Sequence, residues 1–236
     1  MKQIILSSSL ATVLALSSGF ANAATFTVSV QNLTQGLYFT PVLVAAHDSD
    51  NHLFKAGMAA TPSLQAMAEG GSLDGLVSDL SGTSAEYVAN PAGGLLAPGE
   101  STTTDAIDTH GSDNDYLSVV AMMLPTNDGF IGLDSYPIPT AAGTYTININ
   151  GYDAGTEAND EIVNGGGAPN TPGIPAAPGG DEGSGATGAA AADTNTTVHI
   201  HRGVLGDTNA TGGKSDLDSR IHRWLNPVAR VTITVQ

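Results

Sequence analysis

Cysteine is absent from all 236 residues. Its absence excludes disulfide staples, thiolate zinc sites and cysteine nucleophiles, so the fold must rest on its apolar core. Cations are scarce: 7 Lys and Arg stand against 23 Asp and Glu, for a net charge of −16. Nucleic acid and anionic lipid headgroups need clustered Lys and Arg, and are poor partners for such a chain. The acidity suits divalent cations, or simple solubility in a salty exterior. No run of about 18 apolar residues is present, so no membrane span is expected. The G-x-S-x-G elbow, H-E-x-x-H and the P-loop are missing as well, which removes the commonest hydrolase signatures.

What is present starts with an address. MKQIILSSSLATVLALSSGFANA carries Lys2, an apolar stretch from Ile4 to Leu16 and a small-x-small ending at Ala21-Asn22-Ala23. This pattern predicts a signal peptide over residues 1–23 and a secreted or periplasmic mature chain, residues 24–236. Export without disulfides points to a bacterial periplasmic or surface protein.

Period-two patterns with β-branched residues dominate the mature chain and predict strands. TFTVSVQN (25–32) alternates cleanly, whereas LYFTPVLVAAH (37–47) is continuously apolar, as a strand buried on both faces is. Further strands are expected in STTTDAI (101–107), DYLSVVAMML (115–124), TYTININ (144–150), TVHIHRG (197–203) and PVARVTITVQ (227–236). Two short helices are expected between the second and third of these. One is LQAMAE (64–69), behind a Thr61 cap and Pro62; the other is SLDGLVSDLSG (72–82), with Leu73, Leu76, Val77 and Leu80 at helical spacing. Residues 164–196, rich in Gly, Ala and Pro, read as a long irregular loop inside one domain. The fold class is all-β, an antiparallel β-sandwich with short inserted helices.

Carboxylates crowd at two places. PTNDGFIGLDS (125–135) delivers Asp128 just past one strand, and YDAGTEANDE (152–161) places Asp153 at the end of another, with Glu157 across an Ala-Gly turn. If the two strands share a sheet, Asp128, Asp153 and Glu157 meet at one rim and repel until a hard divalent ion arrives; calcium tolerates such irregular oxygen geometry best. The same acids also fit a negatively charged sheet edge that discourages aggregation, and the residues alone leave both readings open. HDSDNH (47–52) starts like a calcium loop but has Leu53 where that loop needs Gly, and reads as a solvated turn. His199 and His201 alternate, so both project from one strand face; no third ligand has matching spacing, and His110 and His222 can approach only through the fold.

The order of P-x-x-D-x-F-x-G (125–132), Y-D-A-G-T-acid (152–157) and NPVARVTI (226–233) resembles the spondin N-terminal, or F-spondin, domain family, and within it the cysteine-free bacterial members. The resemblance implies an antiparallel β-sandwich with calcium at one rim, and the family's ligands fall on Asp128, Asp153 and Glu157. Glu157 stands where animal members have a second Asp, and Phe130 follows Gly129 where they place an aromatic directly after the Asp. Their disulfides are missing, so matrix assembly and receptor binding are not carried over. The resulting expectation is an exported calcium-binding adhesion or recognition module, not an enzyme, with an extracellular carbohydrate or protein as ligand. The alternative is a metal-dependent hydrolase that uses the same rim or the His199/His201 pair to activate water.

Overall fold

A computed structural model describes residues 24–180 and 183–236, so the expected leader lies outside the described residues. In chain order the elements are β1 (Thr25–Asn32), β2 (Tyr38–Phe39), β3 (Leu43–His47), α1 (Pro62–Gly70), α2 (Asp74–Ser81), β4 (Glu86–Ala89), β5 (Ser101–Thr103) and β6 (Ile107–Asp108). They continue with β7 (Tyr116–Leu124), β8 (Gly129–Pro137), β9 (Gly143–Asp153), β10 (His199–Ile200) and β11 (Ala229–Val235). All strand pairs in the sheet are antiparallel, in the order β4-β3-β7-β8-β9-β11-β1-β5, with β2 on β7, β6 on β1 and β10 on β9.

The sandwich is built from one curled sheet rather than two separate ones. β9 turns the corner: residues 150–153 pair with β8, and residues 143–149 pair with β11. A strand that changes sheets in this way lets two halves face each other. The inner faces then meet, with Phe26, Val28, Val231 and Ile233 from one half packing in a single cluster with Val44, Val119 and Ala121 from the other. In β1 the alternation is complete: Phe26, Val28 and Val30 point inward and Thr25, Thr27, Ser29 and Gln31 point out.

β3 and β7 are buried on both faces, as the unbroken apolar runs predict. Their outer residues Leu43, Ala45, Val120 and Met122 lie under α1 and α2, against Leu64, Met67, Leu76 and Leu80. α1 begins where expected: the Leu64 amide donates to Thr61 Oγ1 at 3.1 Å, and Pro62 occupies the first turn. Such a cap is worth roughly 1 kcal/mol. Gly71 closes the helix at φ +72°; its N–H donates to the Met67 carbonyl at 2.9 Å, and the Ser72 N–H donates to that of Ala66 at 3.3 Å.

The strands differ from the sequence expectation in several places, and β4 was not expected at all. The run 37–47 breaks into β2 and β3 around Pro41, which has no N–H to give a ladder. The stretch 101–107 likewise splits into β5 and β6, and 197–203 yields only the two residues of β10. β8 was unexpected, because residues 129–133 are buried throughout and are interrupted by glycines, which leaves no alternation to detect. The described part of 164–196 is irregular, as expected, yet it is tied down. Ile174 is fully buried against Val204 and Leu217, and the Asn170 amide donates to Glu69 Oε2 at 3.0 Å.

Candidate functional site

Asp128 ends the turn between β7 and β8. Thr126 shapes that turn, its hydroxyl donating to the Met123 carbonyl at 2.6 Å and accepting from the Gly129 amide at 3.0 Å. The Y-D-A-G-T-E segment then wraps around Asp128. The Ala154 amide donates to its carbonyl, and the Thr156 and Glu157 amides donate to Oδ2 at 2.8 and 3.1 Å. This wrapping requires Gly155: its φ is +71°, and a Cβ there would stand 2.7 to 2.8 Å from the Thr196–Thr197 backbone. So the two motifs form one rim because one donates the backbone hydrogens that the other's carboxylate accepts, across 28 and 29 residues of chain.

Asp153 closes β9 beside Asp128. Its Oδ1 accepts from the Gly155 amide and its Oδ2 from the Asn159 side chain, both at 2.8 Å. Glu157 Oε2 accepts from Asn127 Nδ2 at 3.3 Å and from the Gly173 amide at 3.2 Å. Three buried atoms at this rim have no hydrogen-bond partner: Asp128 Oδ1, Glu157 Oε1 and His201 Nε2.

Burial and the neighbouring Asp153 charge push the Asp128 carboxyl up to about 7, against the pull of the three donors on Oδ2. Glu157 is raised to about 7, chiefly by burial, with the charges of Glu69 and Asp128 adding to it. Burial drives His201 down to about 4, although Asp153 beside it acts in the other direction. The rim thus holds two carboxyls poised near neutrality around a third.

The histidines do reach this rim from one side, with Nε2 of His199 at 3.8 Å and of His201 at 4.0 Å from Asp153 Oδ2. Their hydrogen bonds set opposite tautomers. His199 Nδ1 lies 2.8 Å from the Thr197 carbonyl, which only accepts, so its neutral ring carries the lone pair on Nε2. His201 Nδ1 accepts from the Gly203 amide at 3.0 Å, so its proton sits on Nε2. In these tautomers the pair does not offer two lone pairs to one ion.

Other candidates are self-contained. Asp48 Oδ1 accepts from the Asp50 and Asn51 amides, closing the 47–52 turn on itself. His110 is bonded to Asp108, and His222 accepts from the Asp218 amide. Ser135, His52 and Asp134 touch, but the hydroxyl and the carboxylate both meet His52 Nδ1, at 2.8 and 3.0 Å. A proton relay needs the two ring nitrogens to serve different partners.

Several rim residues escaped the sequence reading. Asn127 bridges Glu157 and Asp160, and its Oδ1 accepts from the Glu161 amide. Asn159 bridges Asp153 to Asp193. Buried Glu161 clamps the Leu205 and Gly206 amides at 2.6 and 2.8 Å, which makes it a loop tie rather than a rim acid. The only local signal for these roles is the Asn-acid step, which occurs at 127–128 and again at 159–160. Among the described residues no three His, Asp or Glu side chains stand together as a ready metal cage. The structure brings Asp128, Asp153 and Glu157 to one rim and holds their carboxylates on separate donors.

A curled antiparallel sheet with buried acids where two strands end defines an all-β domain with an acidic, loop-built rim. The Spondin_N family model matches residues 24–172, and the chain belongs to that family. No curated protein matches it. Family membership supports an extracellular recognition or adhesion-type module. No helix of the described residues is long and apolar enough to cross a membrane.

Proposed function

We propose that this protein is an exported, non-enzymatic adhesion or recognition module whose acidic rim takes a calcium ion through Asp128, Asp153 and Glu157. The observation that carries this reading is Asp128: a fully buried carboxylate with one oxygen unpartnered and a second carboxylate as its neighbour. A buried anion in this position is costly unless it holds a proton or gains a cation. The donor set fits a hard cation. Asp128 and Glu157 each keep an unpartnered oxygen, and each Asp153 oxygen accepts a single hydrogen bond, leaving lone pairs for an ion.

Bound calcium would supply positive charge that relieves the repulsion and leaves a Lewis-acidic face for a ligand carboxylate or sugar oxygen. The chain's own residues do the rest. Asn127, Asn159 and the 155–157 amides hold the three carboxylates, so the loops that bear them are ordered together. Export through the 1–23 leader would bring the rim to a calcium-containing exterior.

Thermal melts of the mature protein in excess calcium and in excess chelator test the reading. At a hundred times its dissociation constant, a ligand bound only by the folded state adds about 2.7 kcal/mol. The expected result is a rise of several degrees with calcium. Identical melts, together with no calorimetric heat of binding, would remove the proposal.

A further inference from the structure

A second site lies on the other side of β9. Along this strand Asp153 and Ile149 are buried, while Asn148, Asn150 and Tyr152 alternate with them on the outer face. β9 pairs with β11 up to Ile149 and meets β8 only from Asn150 on, while β8 runs on past that pairing beside β7 to Pro137. The sheet therefore splits. Between the diverging strands opens a cleft of about 310 Å³, lined by Phe54, Gly132, Asp134, Asn148, Asn150 and Tyr152. That volume is at the small end for ligand pockets, suited to a single ring.

The walls are specific. Phe54 and Tyr152 pack with ring centroids 5.0 Å apart and close over Gly132, where a Cβ would meet them at 2.6 and 2.8 Å. Gly132 thus permits two aromatic rings in the split: Phe54 is buried at its floor, packed edge-on against Phe130, and Tyr152 is the ring that reaches the surface. Asp134 is half-buried; its Oδ1 is occupied by His52 and Ser135, and among the described residues Oδ2 has no hydrogen-bond partner. Asn148 Oδ1 accepts from Arg230 Nε at 3.3 Å, which leaves its NH₂ free to donate. The Tyr152 hydroxyl, a phenol, can donate as well.

Such a cleft has an aromatic face, one strong acceptor and several neutral donors. An anionic ligand would meet Asp134 on a chain of net charge −16. An organic cation would suit the carboxylate and the rings, but would leave the amide N–H groups facing a group that accepts nothing. A sugar hydroxyl both donates and accepts, and the C–H face of the sugar ring can lie on an aromatic side chain. We infer that this cleft binds one neutral sugar ring, with Asp134 accepting from its hydroxyls, Asn148 and Tyr152 donating to them, and the Tyr152 ring, backed by buried Phe54, forming the apolar wall. The site does not depend on calcium at the rim.

Saturation-transfer NMR and calorimetry on the mature protein, with chelator present throughout, test this using glucose, mannose, galactose and N-acetylglucosamine, with lysine methyl ester as the cationic control. Working with chelator keeps the outcome independent of the calcium proposal. At least one of the four sugars is expected to bind, and the isosteric variants Asp134→Asn and Tyr152→Phe are each expected to weaken it about tenfold and about threefold, with unchanged circular dichroism. The inference is overturned if none of the sugars shows transfer, if only the lysine ester binds, or if sugar affinity is the same in both variants as in the parent.

Discussion

Replacing Asp128 by Asn tests how a buried carboxylate is tolerated at the rim. In the folded chain Asp128 titrates near 7, against an ordinary value of 3.8. Between those values the folded state keeps a proton that the unfolded state has released, so raising the pH draws the equilibrium toward unfolding. The stability is present below about pH 4, is lost as the pH rises toward 7, and does not return above it. The rise from 3.8 to about 7 corresponds to roughly 4 kcal/mol as an upper bound. Glu157 acts in the same direction but is only half-buried, so solvent screening makes its share smaller. His201 acts in the opposite direction, because a ring that stays neutral down to about 4 favours unfolding as the pH falls below 6.5. Comparing variant with parent at each pH largely cancels both contributions. The amide oxygen of Asn can replace Oδ2 as acceptor for the Thr156 and Glu157 amides, so the wrap survives. With chelator present, the two proteins should melt together near about pH 4. By about pH 8 the variant should melt higher by about 10 °C, at a few degrees per kcal/mol for a chain of this size. Adding calcium should reverse the order, because only the parent retains the full ligand set. A difference that does not change with pH, or a variant less stable than its parent in alkaline chelator, would refute the reasoning.

Asp153→Asn should weaken calcium at least tenfold, about 1.4 kcal/mol, while Asp160→Asn should change it less than threefold by calorimetry. The contrast follows from placement: Asp153 is held by β9, whereas Asp160 Oδ1 is engaged by Asn127 and the Ile162 amide. A larger loss from Asp160→Asn would move the site. Ile174→Ala should cost about 2–5 kcal/mol, since it empties a fully buried position under the Gly-rich tract. Limited proteolysis should then cleave within 164–196 markedly faster; an unchanged rate would mean that Ile174 does not anchor the tract.

The strands that alternate, and the helices that carry their own caps, were legible from residues alone. TFTVSVQN becomes β1 with every inward residue in place, and Thr61-Pro62 opens α1, because period-two burial and capping are local effects. That Asp128 and Asp153 lie where strands end was legible too, because a strand end directly followed by an acid-bearing turn is a local feature; their role as ligands came from the resemblance. β8 was not legible, since burial on both faces and two glycines erase the pattern that marks a strand. Asn127, Asn159 and Glu161 were also hidden, because a side chain that bonds a group some 30 to 45 residues away leaves no mark near its own position. The split between β8 and β9, with the cleft it opens, belongs wholly to the tertiary structure. Nothing in TYTININGYD says that its first half will pair with a strand at the end of the chain and its second half with β8. That outcome is decided by which apolar faces can be buried together, and burial is a property of the whole molecule.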